Sequence, residues 1–327
     1  MDQDMLLSVR GLRVVVPFKD GYKGHPVDRI DLDIPRGKTV GLVGESGCGK
    51  SMTARCLMRL LDEPIAISEG SILFEGRDLV SCTEREMQQV RGSKISMIFQ
   101  EPMTALNPSI TVGKQVREAI LLHEKVSKAE AKQRVIEMFR NVGIPDPQER
   151  YRSYPHQLSG GLRQRICIAM AMVLHPEFLI ADEPTTALDV TVEAQILALM
   201  KQLQQGSNMS ILMITHNLGV VADICDDVNV MYAGQIVEHA EKRELFRHPA
   251  HPYTRGLMKA LPRIHGNNQE ELFTIEGTVP SLREELPGCR FADRCPYVQD
   301  RCRKEQPQLR DLGGGHLVRC FREVDEA

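Results

Sequence analysis

One octapeptide limits what this chain can become: Gly44-Glu45-Ser46-Gly47-Cys48-Gly49-Lys50-Ser51. It fits the phosphate-loop pattern G-x-x-x-x-G-K-[ST]. The flanks give the pattern its meaning. Thr39-Val40-Gly41-Leu42-Val43 before it is apolar and β-branched, which predicts a buried strand. From Met52 to Leu61 the apolar positions 54, 57, 58 and 61 follow helical spacing. A loop between a strand and a helix N-terminus presents free backbone N–H groups and the positive end of the helix dipole, and both favour an anion. The glycines let the backbone curl around phosphate oxygens. Lys50 is placed to reach the β- and γ-phosphates of a nucleotide and Ser51 to ligate Mg²⁺.

A length of 327 residues suggests about two domains, and a 42% hydrophobic fraction supports a sizeable core. The net charge of −3 gives no overall argument for nucleic acid or for an acidic surface. No apolar run approaches the roughly 20 residues of a membrane span. The start, Met1-Asp2-Gln3-Asp4, lacks the basic region of a secretion signal. The chain therefore reads as soluble and cytoplasmic, with any membrane role reached through a partner. Disulfides are not expected there, although the chain holds nine cysteines.

Residues 6–16 read as an edge strand and the start of another, and 27–34 as a further strand. Between them lies a turn-rich stretch with Phe18 and Tyr22. An aromatic upstream of a phosphate loop can stack on adenine; Phe18 is the first candidate and Tyr22 the alternative. Gly70 to Leu79 predicts a hairpin, and Lys94 to Phe99 a strand ending at Gln100. Residues 101–165 read as a mostly helical insertion in an α/β core, with helices over 112–123 and 127–142. Ser127-Lys128-Ala129-Glu130 has the capping-box form, and Gly143 the form of a stop.

Ser159-Gly160-Gly161 opens another helix and makes a second place where an anion can meet a helix N-terminus. Phe178-Leu179-Ile180-Ala181 predicts a buried strand ending in Asp182-Glu183-Pro184. In a chain with a phosphate loop, Asp182 is suited to bind Mg²⁺. Glu183 is suited to general-base work on an attacking water. Asp189 precedes a helix from Val190 to Gln205. Ser210 to Thr215 predicts the next strand, and His216 at its end can contact a γ-phosphate.

Taken in order, GESGCGKS, Gln100, LSGGLRQR, FLIADEP, TALD and ITH resemble the nucleotide-binding subunit of an ABC transporter. The resemblance runs from residue 5 to about 250. It implies that Gly44 to Ser51, with Met52 after them, line bound ATP. It implies that Ser51, Gln100 and Asp182 serve Mg²⁺, that Glu183 is the catalytic base, and that His216 and Gln100 assist. Ser159, Gly160 and Gly161 form the signature, and Asp189 is the D-loop aspartate. Cys48 stands where serine is common, and Asn217 where aspartate is usual. QEPMTALNP from Gln100, YAGQIVE from Tyr232 and FRHPAHPYTRGL from Phe246 resemble the oligopeptide and dipeptide importing branch.

The tail carries Cys289-x5-Cys295-x6-Cys302-x17-Cys320. The close cysteine pair of structural zinc is missing, as is tight ferredoxin spacing, so spacing does not choose a metal. The peptide branch implies a [4Fe–4S] cluster on these four thiols, with Zn²⁺ as the alternative.

The expected architecture is α/β: an ABC-type phosphate-loop ATPase core with an antiparallel β subdomain and a helical subdomain. Residues 1–250 form this nucleotide-binding domain, and 251–327 a small cysteine-bearing C-terminal domain. The expected function is ATP hydrolysis coupled to uptake of di- or oligopeptides, at the cytoplasmic face of the bacterial inner membrane. Nickel, glutathione and oligosaccharides stay open as solutes. The implied partners are a second, different ABC ATPase subunit that meets the loop with its own signature, two membrane permeases and an extracytoplasmic solute-binding protein. Residues 101–125 are the expected membrane-subunit contact. The rival reading, an ABC-type ATPase on nucleic acid or ribosomes, wants a second cassette or sustained heptads and a basic patch. The sequence has one cassette, no sustained heptads and a net charge of −3, so no nucleic-acid partner is expected.

Overall fold

The computed structural model describes residues 4–100, 105–186, 188–260, 273–284 and 286–323. Its strands are β1 (Met5–Pro17), β2 (Lys23–Pro35), β3 (Thr39–Val43), β4 (Ala66–Phe74), β5 (Arg77–Asp78), β6 (Ile95–Ile98), β7 (Phe178–Asp182), β8 (Ser210–Thr215), β9 (Asp227–Tyr232), β10 (Gln235–Glu241), β11 (Arg310–Asp311) and β12 (Leu317–Val318). Its α-helices are α1 (Lys50–Leu57), α2 (Glu84–Val90), α3 (Val112–His123), α4 (Lys128–Asn141), α5 (Pro147–Arg150), α6 (Gly160–Met172), α7 (Val190–Ser207), α8 (Leu218–Ile224), α9 (Lys242–Arg247), α10 (Pro252–Lys259) and α11 (Asp300–Lys304). None of the described helices is long and apolar enough to cross a membrane.

The chain divides into two compact units. One comprises residues 1–34, 39–80 and 214–327, the other 35–38 and 81–213. The first holds an antiparallel sheet in the order β2-β1-β4-β5 and a run β11-β12-β10-β9-β3, in which β3 and β9 are parallel. Every residue of β3 is buried, as the continuous apolar run of a parallel strand requires. In the second unit β6 and β7 pair in parallel, and α3, α4 and α6 pack on one another. α3 buries Val112, Val116 and Ile120 along one stripe. Ser127 caps α4 by accepting from the Glu130 N–H at 3.1 Å.

Several elements differ from expectation. Residues 6–16 form one continuous strand, β1, rather than parts of two. α1 starts earlier, at Lys50, and ends earlier, because Arg59 turns left-handed at φ 49°. α2 went unanticipated, although Thr83 and Glu86 cap it reciprocally. Most consequentially, residues past 250 do not separate from the rest. β12 pairs with β10 through Glu238↔Val318 and His239↔Leu317, and the tail lies in the first compact unit. The reason is core size. Past Tyr253, Phe291, Ala292 and Val318 are the buried hydrophobic residues among those described, too few to sustain a core of their own.

A buried carboxylate fastens this tail. Glu238 on β10 is fully buried and accepts from the N–H groups of Ala250 and His251, at 2.6 and 2.9 Å, and from His316 Nε2 at 2.8 Å. Glu238→Leu strands two buried N–H donors and is expected to cost about 3 kcal/mol, read as a lower urea midpoint. The hydrogen bond to Glu238 raises the His316 pKa above its ordinary 6.5. A base whose pKa is higher in the folded state adds stability that is full below the unfolded value and is lost as pH rises through the folded value. Burial lowers His251 to about 4, which removes stability as pH falls from 6.5 toward that value. Urea midpoints are therefore expected to decline on the alkaline side of 6.5, and His316→Gln to flatten that decline and leave the acid side in place.

Candidate functional site

In the first unit the phosphate loop runs from the buried end of β3 into α1. Gly49 is the N-cap of α1 with φ 109°, a conformation that L side chains rarely adopt. A Cβ there would lie 2.2 Å from the Pro26 carbonyl oxygen. At Gly44 a Cβ would lie 2.2 Å from the Met231 carbonyl oxygen, so the loop leaves β3 pressed against neighbouring backbone. The Lys50 ammonium donates to the Gly44 and Glu45 carbonyls at 2.7 and 2.9 Å and lies 3.8 Å from Cys48 Sγ. Cys48 is buried inside the loop, and its burial raises the thiol pKa. Ser46 and Gly47 are exposed, and Ser51 and Met52 half-buried.

Two further contacts grip the loop. The Glu45 N–H donates to Tyr253 Oη at 2.8 Å, and the Glu45 carboxylate takes the two guanidinium nitrogens of Arg294 at 2.6 and 3.0 Å. Tyr253, Tyr232 and Phe291 form one aromatic cluster, with ring centroids 4.7–5.5 Å apart. Sequence reasoning missed Arg294 and the role of Tyr253. Nothing local marks a partner 249 residues away.

Phe18 is half-buried, 6.0 Å from the Tyr22 ring centroid, with the Arg283 guanidinium over its face at 4.4 Å. Arg283 also pairs with Asp20 at 2.7 Å. His216 is exposed at the end of β8. The Asn217 side chain caps α8 by accepting from the Gly219 N–H at 2.9 Å. Asparagine caps a helix about as well as aspartate, which accounts for its place here.

The second unit holds the carboxylates. β7 is buried throughout and ends at Asp182. Glu183 has φ 46°, a left-handed conformation that costs a non-glycine residue about 1–2 kcal/mol. Its Oε2 accepts from Gln100 Nε2 and Thr186 Oγ1, both at 3.0 Å. The buried Gln164 side chain of α6 donates to the Pro184 carbonyl and ties that helix to the same turn. Such a carboxylate, aimed by two donors, is equipped to take a proton from water.

Ser159 caps α6 by accepting from the Leu162 N–H at 3.4 Å. Ser159 and Gly160 are exposed, and a Cβ on Gly160 would meet nothing within 4 Å. Gly161 packs on Val192 of α7. Asp189 caps α7, with the Val192 N–H at 2.9 Å. Residues 101–104 of the expected membrane-facing stretch, and Ala187, lie outside the described residues.

The four tail cysteines line one small cavity with Phe291, Ala292, Tyr297 and Phe321. Cys320 Sγ accepts from the Arg322 N–H at 3.4 Å. Cys289 and Cys295 likewise accept from the N–H groups of Phe291 and Tyr297. The expected metal centre is not assembled: among the described residues no three His, Cys, Asp or Glu side chains are placed to hold an ion. Burial pushes the Cys289 thiol up to about 11 and raises Cys295 and Cys320 as well.

Comparison with known proteins agrees with the fold and the loop. Residues 27–186 match the ABC transporter family, and 237–302 match the oligopeptide/dipeptide transporter C-terminal region. The dipeptide transport ATP-binding protein DppD of Bacillus subtilis is 47% identical over 99% of this chain and 96% of its own. The oligopeptide transport ATP-binding protein AppD of the same organism is 50% identical over 98% of each. Among solved structures, cbiO1 of Clostridium perfringens, part of an ABC transporter complex, superposes with a TM-score of 0.64 at 28% identity. That match covers 75% of this chain and 92% of that one. A bacterial ABC transporter cassette solved as a dimer shares the fold, at a TM-score of 0.65 and 23% identity over 72% of this chain and 99% of that one. The fold and loop are thus those of an ABC-type ATPase. The chain belongs to the ATP-binding subunits of the oligopeptide/dipeptide branch of ABC transporters.

Gly49→Ala is expected to weaken nucleotide binding about a hundredfold or more, since it strains the backbone and meets a fixed carbonyl. Titration with a fluorescent ATP analogue reads this directly; unchanged affinity would remove Gly49 from the binding surface.

Proposed function

We propose that this chain powers peptide import at the cytoplasmic face of the bacterial inner membrane. The observation that carries the reading is identity of 47–50% to dipeptide and oligopeptide transport ATP-binding proteins over nearly the whole chain. The partners are two membrane permeases, a solute-binding protein outside the membrane and a second ATPase subunit. The exposed Ser159-Gly160 at the start of α6 supports a site completed between chains. A helix N-terminus that ends in solvent is ready to meet a partner's phosphates. Heterodimeric pairing is the form the branch implies.

In this reading Gly44 to Met52 cradle ATP and Lys50 binds its outer phosphates. Ser51, Gln100 and Asp182 are the residues assigned to Mg²⁺, each with an oxygen suited to a hard cation. The ion, when bound, neutralises charge on the phosphates. Glu183 takes the proton of the attacking water, His216 contacts the γ-phosphate, and Phe18 or Tyr22 receives the adenine. Gln100 and the helices after it carry the result toward the permeases.

The four cysteines are assigned a [4Fe–4S] cluster, with Zn²⁺ as the alternative. Their shared cavity and the backbone N–H donors on three of the sulfurs support a thiolate site. Iron and sulfide after anaerobic purification would bear this out; a colourless, zinc-loaded protein would overturn the cluster.

Glu183→Gln, assembled with its partners, is expected to lose ATPase activity about a hundredfold or more while still binding ATP. In cells, both Lys50→Ala and Glu183→Gln are expected to abolish uptake of a labelled dipeptide or oligopeptide. Undiminished peptide uptake without this chain would reject the transport reading.

A further inference from the structure

Arg294 stands immediately before Cys295, at the end of the 3₁₀ turn Ala292–Arg294. Its side chain is 7% exposed, far more enclosed than an arginine usually is. Every guanidinium nitrogen is engaged. Nη1 donates to Glu45 Oε2 at 2.6 Å and to Tyr232 Oη at 3.3 Å. Nη2 donates to Glu45 Oε1 at 3.0 Å and to the Ile275 carbonyl at 3.1 Å, and Nε to the Glu276 carbonyl at 2.8 Å. The fork-to-fork pairing with Glu45 fixes both partners in one geometry.

Glu45 is the second residue of the phosphate loop. Its N–H is taken by Tyr253 and its carboxylate by Arg294, so it is held at both ends by residues far along the chain. Its carbonyl, with that of Gly44, is one of the two that seat the Lys50 ammonium. The position of Glu45 therefore sets the position of the lysine. Glu45 also carries a negative charge on the element that must receive a polyphosphate, and an unpaired carboxylate there repels it through a partly dry medium.

We propose that Arg294 is a positioning residue for ATP binding. It cancels the Glu45 charge and pins the loop that seats Lys50, an inference that rests on the reading of Gly44 to Ser51 as the ATP site. Its effect scales with phosphate charge, which a packing role alone does not predict.

The test is binding of ATP, ADP and AMP to the full chain by titration calorimetry. Arg294→Gln is expected to raise the ATP Kd about tenfold or more, the ADP Kd by less and the AMP Kd least. Glu45→Gln added to Arg294→Gln is expected to recover at least about threefold of the lost ATP affinity, because the unpaired charge is gone while the fork stays broken. Rescue also separates this route from one through Cys295, which Glu45→Gln cannot repair. Equal loss for all three nucleotides, or no rescue, overturns the proposal. Should Arg294→Gln fail to fold, Arg294→Lys serves. It keeps the charge and loses the fork, so a smaller loss in the same order is expected, and affinities equal to the parent's reject the role. Lys50→Ala is the control: if it binds ATP normally, the loop is not the ATP site and the proposal falls with that reading. If it does not, the Arg294 result stands by itself.

Discussion

A phosphate-binding loop works only if its backbone stays curled around a space that its own side chains do not fill. That demand reaches well beyond the octapeptide. Gly49 must be left-handed where α1 begins, and the carbonyl of Pro26 on β2 then lies where a Cβ would go. Gly44 must pass close to the carbonyl of Met231 on β9. The loop is thus shaped between a strand that precedes it and one that follows β3 by more than half the length of the chain. Lys50 closes it from inside through two carbonyls, and Tyr253 and Arg294 hold it from outside. Positioning a flexible loop in advance lowers the ordering cost that ligand binding would otherwise meet.

The second unit solves a similar problem with strain. Glu183 sits in a left-handed conformation between the buried end of β7 and Pro184. A non-glycine residue stays there only when its surroundings over-determine it. Gln100 and Thr186 hold its carboxylate, and Gln164 holds the carbonyl of the next residue. Gln164 belongs to the helix that Ser159 caps. The Ser159 cap and the turn that carries Glu183 therefore rest on one support within a single compact unit, and a shift in α6 bears on that turn.

What was legible in the sequence was local. The β3–loop–α1 order, the helix opening at Ser159, the helix after Asp189 and the strand into Asp182 each carry their signal in adjacent residues. Such signals are periodicity, a capping side chain and a glycine where φ must be positive. The capping box at Thr83 and Glu86 is equally local, but the helix it opens is too short to show a period. Arg294 with Glu45, His316 with Glu238, and Arg290 with Asp28 were not legible. Ion pairs between residues far apart in sequence leave no pattern in either stretch, since any arginine and any carboxylate look alike until topology joins them.

The same distinction explains the tail. A stretch with few buried hydrophobic residues has little transfer free energy to drive folding alone. It is fastened instead by enclosed polar groups: the buried pairs Glu238 with His316 and Asp28 with Arg290, and the part-buried pair Glu45 with Arg294. Buried ion pairs add little net stability, because desolvation offsets much of their attraction, but breaking one by removing a partner is costly. Such fastening gives register rather than strength. It fixes where the stretch lies on the first unit to the accuracy of a hydrogen bond, which an apolar patch would not do. Arg290 follows Cys289 and Arg294 precedes Cys295, so the register that seats these arginines also places two of the four cysteines. The geometry of the thiol cavity and the geometry of the phosphate loop are set by the same few contacts, and neither can shift far without the other.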